Sequence, residues 1–500
     1  MIRSTEATFI EGRKNHGMAS QPNILLIMAD QHRGDAIGAD PHCPTDSEGY
    51  PFVHTPELDN LVERGALFSR AYVPAPICVP ARQSLWSGQT PATTGATNWY
   101  GHPWEFEHTL AGELTDAGYQ THLVGKTHSH PRGNHVGFER MGPTHVGASL
   151  RDDGYAEWLR DRSGGAYDKH TGGLESNTWT ARPSHVPEHE HPTTWTTTKA
   201  LEFLDERDED RPFFLTVSYQ RPHPPFDPPR AFWEMYADRD LPTPVVGEWV
   251  DDAFGDEIPT YPPTDAWIAD LSPHEIDRAR AAYYGLVTQI DFQVTRLFEA
   301  MWREFGVLDD TLVVYTSDHG EMLGDHHLWR KGFPFEGSAR VPLLMQFPDG
   351  CDYPTERVID RPVGLEDVMP TLLDVAGVDV PASVEGRSLL SLVEDPHADW
   401  RPYYHGELGP SWTPEDATQY LVDDEYKYAW NPHTGDEFLF DVAEDRREKT
   451  NLAVSSDNED LLAAYRSKLA RHLEGREEGF SDGETLRTVG LDAWDGMETP

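Results

Sequence analysis

Three apolar runs in this 500-residue chain end, within a few residues, on side chains that carry charge or an imidazole, and that pairing constrains the fold more than any other feature. Ile24-Leu25-Leu26-Ile27-Met28 leads into Ala29-Asp30-Gln31. Phe213-Phe214-Leu215-Thr216-Val217-Ser218-Tyr219 precedes Arg221-Pro222-His223, and Thr311-Leu312-Val313-Val314-Tyr315-Thr316-Ser317 runs into Asp318-His319-Gly320. Runs without polar alternation belong to strands buried on both faces, as in a parallel sheet covered by helices on each side. Further strands are expected near Gln120–Val124 and Val341–Phe347. Helical periodicity is clearest over Pro273–Phe305, where Ile276, Ala281, Tyr284, Val287, Ile290, Phe292, Leu297 and Met301 leave Asp, Arg and Glu on other faces. Shorter helices fit Pro56–Gly65, His108–Ala117 and Glu366–Ala376. Strands alternating with helices predict an α/β fold with a doubly wound, mostly parallel sheet, and such sheets place ligands beyond the C-terminal ends of their strands. The polar ends are therefore expected to meet.

The pattern divides the chain into a flexible N-terminal extension (1–20), a catalytic α/β domain (21–398), a small C-terminal α+β subdomain (399–480) and a tail (481–500). Within the third part, Tyr420-Leu421-Val422, Lys427-Tyr428-Ala429-Trp430 and Phe438-Leu439-Phe440 read as short antiparallel strands, followed by a helix from Glu459 to about Glu474. Trp179–Thr194, rich in His, Pro and Thr, reads as an irregular insertion near the substrate mouth. Met18 is an alternative start, since the first strand follows it closely. No internal repeat is present.

With 86 acidic against 41 basic residues the formal net charge is -45, which argues against nucleic acid and anionic membranes as partners. Acid spread along the whole chain suits a halophilic protein, because the screening length falls to roughly 3 Å at 1 M salt. The plainer alternative is an acidic, solvated surface. Cys43, Cys78 and Cys351 are too few for a disulfide framework. No apolar signal region and no stretch fit to span a bilayer is seen, so the expected location is cytoplasmic.

The chemistry centres on Cys78-Val79-Pro80-Ala81-Arg82, with Leu85 and Gly88 beyond. An isolated cysteine ahead of a short helix is most often a small buried residue. Neither Cys43 nor Cys351 has Arg at the fourth position after it; Ser47 and Thr355 stand there. A second cluster, Asp318-His319-Gly320-Glu321-Met322-Leu323-Gly324-Asp325-His326, is dense in glycine and ionisable groups and continues to Lys331-Gly332 and Arg340-Val341-Pro342. Gly125-Lys126-Thr127-His128 and Arg221-Pro222-His223-Pro224-Pro225-Phe226 complete the set.

Taken in order, these segments resemble type I, formylglycine-dependent sulfatases, arylsulfatase-like members of the alkaline phosphatase superfamily. The likeness runs from Asn23 to Leu452. It departs from the usual pattern at Ala81, where Ser is commoner, at Trp86, which follows Leu85, and at Thr127, where Trp is usual. The resemblance implies an alkaline-phosphatase-like α/β fold with a large, mostly parallel sheet flanked by helices and a smaller C-terminal α+β unit containing an antiparallel sheet. It also implies that a maturation enzyme oxidises Cys78 to formylglycine. The hydrated aldehyde has one hydroxyl to attack sulfur and a second whose proton loss expels sulfate.

Asp30, Gln31 and Asp318, with residue 78, offer the oxygen ligands a hard divalent cation takes, and His319 makes the set mixed. That set favours Ca2+ and leaves Mg2+ or Mn2+ open, because imidazole suits softer ions. A sulfate ester needs cations placed around its developing charge, and Arg82, Lys126 and Lys331 are the candidates. By resemblance, Arg82 braces the diol and the metal ligands, Lys126 and Lys331 bind sulfate oxygens, His128 acts on the second hydroxyl, and His223 with Lys331 protonates the leaving group. His102, His130, His135 and His326 have weaker claims as pocket-lining residues. The leading activity is hydrolysis of a small-molecule or carbohydrate sulfate ester. Phosphonate monoester or phosphodiester hydrolysis with the same machinery, and a non-catalytic binder with unmodified Cys78, are the alternatives. Aryl, choline and carbohydrate sulfates are not distinguished, nor is the oligomeric state.

Overall fold

The apolar runs that end in charged or imidazole side chains lie next to one another in the centre of one sheet. The computed structural model describes residues 21–99, 104–131, 133–145, 153–168, 172–255, 258–259, 261–411 and 416–490. The strands of its N-terminal half are β1 (Asn23–Asp30), β2 (Gly65–Phe68), β3 (Ala71–Tyr72), β4 (Gln120–Lys126), β5 (Arg140–His145) and β6 (Phe213–Pro222). Then follow β7 (Thr311–Ser317), β8 (Arg340–Val341), β9 (Leu343–Gln346), β10 (Arg357–Ile359) and β11 (Val363–Gly364). Last come β12 (Tyr404–Leu408), β13 (Thr418–Val422), β14 (Tyr426–Trp430) and β15 (Glu437–Asp441).

The large sheet has eight strands in the order β10-β2-β9-β7-β1-β6-β4-β5. The run β7-β1-β6-β4-β5 is parallel throughout, whereas β9 is antiparallel to both β2 and β7. The single strand expected over Val341–Phe347 is two strands parted by Pro342, which has no N–H for a ladder; β8 joins a small sheet with β3 and β11. Alternation along β1 shows why its sequence carries no polar face. Ile24, Leu26 and Met28 enter one core together with the helices Cys78–Ser87, Leu110–Asp116 and Val368–Ala376. Leu25, Ile27 and Ala29 enter the other with the helices Pro56–Glu63, Pro192–Glu206 and Pro273–Arg303. Both faces of the strand are covered, so every position is apolar.

The long helix Pro273–Arg303 starts on a capping box between Ser272 and Glu275, with Pro273 in the first turn. Six of the eight apolar positions expected on its core face are buried. Phe292 is not: it is 49 % exposed and meets Phe232 edge to face at 5.3 Å on the outer side. Ile276, in the first turn, is half-buried. Conversely, Asp291 is buried, and its Oδ1 accepts the N–H groups of Glu57 (3.0 Å) and Leu58 (2.9 Å), two donors that the start of the helix Pro56–Glu63 leaves unpaired.

Burial raises the pKa of Asp291 from 3.8 to about 7 against the opposing pull of those two N–H groups. The folded state therefore holds a proton that the unfolded chain releases. This contribution to stability is complete below 3.8 and lost as pH rises through about 7. Asp291→Asn keeps the accepting oxygen and removes the titration. As pH is raised through that window, the thermal midpoint of the parent is expected to fall relative to that of the variant; parallel curves would refute the assignment.

The C-terminal strands β12 to β15 form an antiparallel meander. The helix Glu459–His472 covers one face through Leu462, Tyr465 and Leu469, and the other face packs Tyr420, Val422 and Phe440 against Tyr72, Leu328 and Phe335. Strand β12 has no counterpart among the predicted elements; Gly406 and two polar residues interrupt its apolar pattern. Within the expected tail, residues 481–490 are tied down by a Ser481–Leu486 bridge and a hydrogen bond from Val489 N to Pro432 O (2.8 Å). The expected insertion is irregular up to a single 3-10 turn at Glu188–Glu190, and Pro192 starts a helix. Residues 1–20, His102 and 491–500 lie outside the described residues. Among those described, no helix is long and apolar enough to cross a membrane.

Candidate active site

Because β7, β1, β6 and β4 are parallel neighbours, their C-terminal ends open at one rim. Asp30 closes β1, Lys126 closes β4, His223 follows β6 and Asp318 follows β7. The first link is in the backbone, where His223 N donates to Asp30 O at 2.9 Å. Two glycines let the backbone pack closely at this rim. A Cβ on Gly125 would strike Ser218 O of β6, and one on Gly320 would strike Gly337 O.

Gln31 leaves β1 with φ 73°, a left-handed conformation that costs a non-glycine residue about 1–2 kcal/mol. Its neighbours hold it there. Gln31 N donates to Asp318 Oδ1 (3.2 Å), and the Tyr283 hydroxyl of the long helix donates to Gln31 O (2.8 Å). The carboxamide Nε2 donates to Glu321 Oε2, while Oε1 accepts from Lys331 Nζ at 3.0 Å.

Cys78 is the first residue of the helix Cys78–Ser87, with Pro80 in its first turn. It is 5 % exposed and packs with Ala75, Ile77 and Leu408, the last brought in by β12. Burial pushes the thiol pKa up, but Lys126, Lys331 and the neighbouring His319 outweigh it, and the net shift is downward. One turn along the helix, Arg82 is fully buried and ties three strand ends together. Its Nε donates to Asp318 Oδ2 (2.6 Å) and its Nη1 to Lys126 O (3.1 Å) and Ser218 Oγ (3.0 Å).

Lys126 pairs with Asp30 Oδ2. Burial raises the Asp30 pKa, yet Lys126, Lys331, His319 and Arg82 together hold it below the usual carboxylate value. Asp318 is likewise lowered, with Arg82 overcoming burial. The two lysines diverge. Burial lowers both, but Asp30, Cys78 and Asp318 reverse the shift for Lys126, whereas for Lys331 burial prevails.

His319 Nδ1 faces Gly320 O at 2.9 Å, which requires the proton on that nitrogen. In the neutral ring Nε2 then turns a lone pair toward Asp30 Oδ1 (3.5 Å) and Asp318 Oδ1 (3.7 Å). Neither Nε2 nor Asp30 Oδ1 has a hydrogen-bond partner, although both are buried. Three electron-rich atoms within 4.8 Å of one another could hold a cation, which between them would turn mutual repulsion into coordination.

His223 Nδ1 donates to Pro224 O (2.8 Å), leaving Nε2 as an acceptor. Its pKa is held far below the usual value by burial and by Lys331 and Lys126. His128, at φ 58°, is lowered well below 6.5 by burial, Lys126 and Arg82, and its Nδ1 has no partner. The structure thus brings Asp30, Gln31, Cys78, Arg82, Lys126, His128, His223, Asp318, His319 and Lys331 to one rim. His326 is elsewhere, its ring tilted against Trp249 at 4.9 Å with Nδ1 accepting from Gly247 N. His130 is exposed, and His135 bonds Phe138 O locally.

Sequence reasoning missed the supports. Glu321 holds Gln31 and also accepts from Leu323 N (2.9 Å) and Arg330 N (2.6 Å). Ser317 Oγ bonds Ala29 O and His319 O, and Ser218 and Tyr283 act as described above. Glu321 lies inside a quoted motif, but nothing local to Ser218 or Tyr283 marks them out.

The sulfatase family model matches residues 22–378, and that of the N-sulphoglucosamine sulphohydrolase C-terminal region matches residues 324–475. An arylsulfatase of Clostridium perfringens is 38% identical over 481 residues, covering 93% of this chain and 97% of the relative. A choline-sulfatase of Rhizobium meliloti is 31% identical over 490 residues, covering 95% and 91%. Among solved structures, the phosphonate monoester hydrolase of Agrobacterium radiobacter matches with a TM-score of 0.75 at 27% identity, covering 90% of this chain and 95% of that one.

Proposed function

The chain belongs to the sulfatase family, and from that membership we propose that it hydrolyses a sulfate ester through a formylglycine at position 78 and one divalent cation. The observation that carries the reading is the buried trio Asp30 Oδ1, Asp318 Oδ1 and His319 Nε2, two of whose members lack partners, with the buried Cys78 thiol under the influence of the same Lys126, Lys331 and His319. Sγ of Cys78 stands for one oxygen of the aldehyde hydrate. Asp30, Gln31, Asp318, His319 and residue 78 would hold the cation, Ca2+ first and Mg2+ or Mn2+ as alternatives. Bound there, it supplies positive charge to the sulfate oxygens and acidifies the attacking hydroxyl.

The remaining work falls to side chains. Arg82 keeps the Asp318 carboxylate aimed inward, and Lys126 and Lys331 give the sulfate two positive neighbours in a protein whose overall charge of -45 would otherwise repel it. Lys331, with its lowered pKa, gives up a proton more readily than Lys126 and suits the role of donor to the leaving oxygen. His223 and His128, both held neutral, suit acceptance of a proton from a hydroxyl, so the leaving-group protonation expected of His223 with Lys331 is left to Lys331.

Mass spectrometry of the peptide bearing residue 78, from a host that has a formylglycine-generating enzyme, tests this directly. An aldehyde at that position is expected; a fully turning-over preparation with an intact thiol would refute it. The structural likeness to a phosphonate monoester hydrolase favours a second reading, in which the same groups cleave phosphonate monoesters or phosphodiesters. Rates on an aryl sulfate and on the matching aryl phosphonate ester separate the two, and the sulfate is expected to be the better substrate.

A further inference from the structure

Lys331 is followed by Gly332, and Gly332 lines a cleft of ≈ 430 Å³ between the loops of the large domain and the C-terminal sheet. Along the chain, the cleft wall adjoins the chemical centre at Gly332. Gly332 N donates to Pro76 O at 2.9 Å, two residues before Cys78. Thr418, on the cleft wall, is the register partner of Leu408, which packs on Cys78.

The walls are aromatic. Half-buried Phe254 and Trp267 stand edge to face at 6.5 Å, and Trp267 continues at 5.9 Å onto Phe333, with Phe438 and Trp430 from the C-terminal sheet also lining the cleft. Rings that border a void instead of closing it leave apolar area in water, which disfavours an empty cleft by about 25 cal/mol for each Å² a ligand would cover. The volume suits an organic group of one or two rings. The charged lining is acidic: Asp252, Asp416 and Asp436 are there with Glu437, which Arg466 pairs from behind at 2.6 Å, and among the described residues no Lys, Arg or His lines the cleft itself. Ring faces and carboxylates both attract a cation and repel an anion.

We propose that this cleft is the subsite for the organic part of the substrate, and that it selects an aromatic group carrying positive charge, or none, against one bearing a carboxylate or a second sulfate. Polyanionic sulfated glycans are thereby disfavoured as substrates. The proposal rests on the sulfatase reading for where the sulfate sits, but the affinity of the cleft is measurable without turnover.

Calorimetry of the full chain with phenyltrimethylammonium and with benzoate is the first arm. Binding of the ammonium and none of benzoate is expected, with Trp267→Ala weakening the ammonium by about tenfold or more and leaving inorganic sulfate unaffected. Asp252→Asn, at an exposed position, is the second variant and is expected to narrow the difference between the two probes. In the second arm, kcat/KM for an aryl sulfate with a trimethylammonium substituent is expected to exceed that for its carboxylate analogue by about tenfold or more. Benzoate binding as tightly as the ammonium, no response to either variant, or equal turnover of the two esters would overturn the proposal. Ammonium binding in a protein that cleaves no sulfate ester would instead sink the catalytic reading and leave the cleft standing.

Discussion

Cys78→Ala is expected to lower turnover of an aryl sulfate by at least about 10^4-fold, with the fold retained. Cys78 is buried at the head of a short helix and touches Ala75, Ile77 and Leu408, so alanine removes only the sulfur from a site that is otherwise fully packed. Helix and strands should keep their places, and the loss then reports chemistry. Cys78→Ser sharpens the test. A serine hydroxyl can attack sulfur but has no second hydroxyl from which to expel sulfate, so one equivalent of phenol is expected as a burst, followed by silence, with the sulfated serine visible by mass. Steady turnover by either variant would remove position 78 from the mechanism.

Asp318→Asn is expected to abolish metal-dependent stabilisation and to lower activity by at least about 10^3-fold together. Asp318 faces two ways: Oδ2 receives Arg82 at 2.6 Å, while Oδ1 receives Gln31 N and looks toward His319. Asparagine keeps the shape and loses the charge that both Arg82 and a cation require. Alanine would in addition leave the guanidinium buried and unpaired, at a cost of about 3–5 kcal/mol, so asparagine separates ligand loss from unfolding better. Thermal unfolding with and without a chelator supplies the check, because a ligand that binds only the folded state raises its midpoint by mass action. A variant that still responds to the chelator, or retains its rate, would exclude Asp318 as a ligand.

Much of the large sheet was legible because its signals are local. A strand buried on both faces needs an unbroken apolar run, and β1, β6 and β7 each have one, followed at once by the residues that matter. What failed was the reading of faces. Phe292 is as apolar as its neighbours but falls on the outer side of the long helix, while Asp291, charged by type, is drawn inside to cap another helix. Periodicity counts residue types along one helix and is blind to what the helix packs against. β12 escaped for a related reason, since Gly406 and Glu407 in its middle are buried by partners far away in sequence.

By itself, the sequence determined that acids and an imidazole would gather at the ends of parallel strands near a cysteine followed by arginine, because strand burial and the helix start at Cys78 are written in contiguous residues. The tertiary structure alone decided how that rim is held. Arg82 clamps β4, β6 and β7, Glu321 and Tyr283 fix a strained Gln31, and Leu408 arrives from another sheet to wall in the cysteine. Those contacts join residues such as Gln31 and Asp318, 287 positions apart, whose meeting depends on the order and direction of strands and on packing that no local pattern encodes.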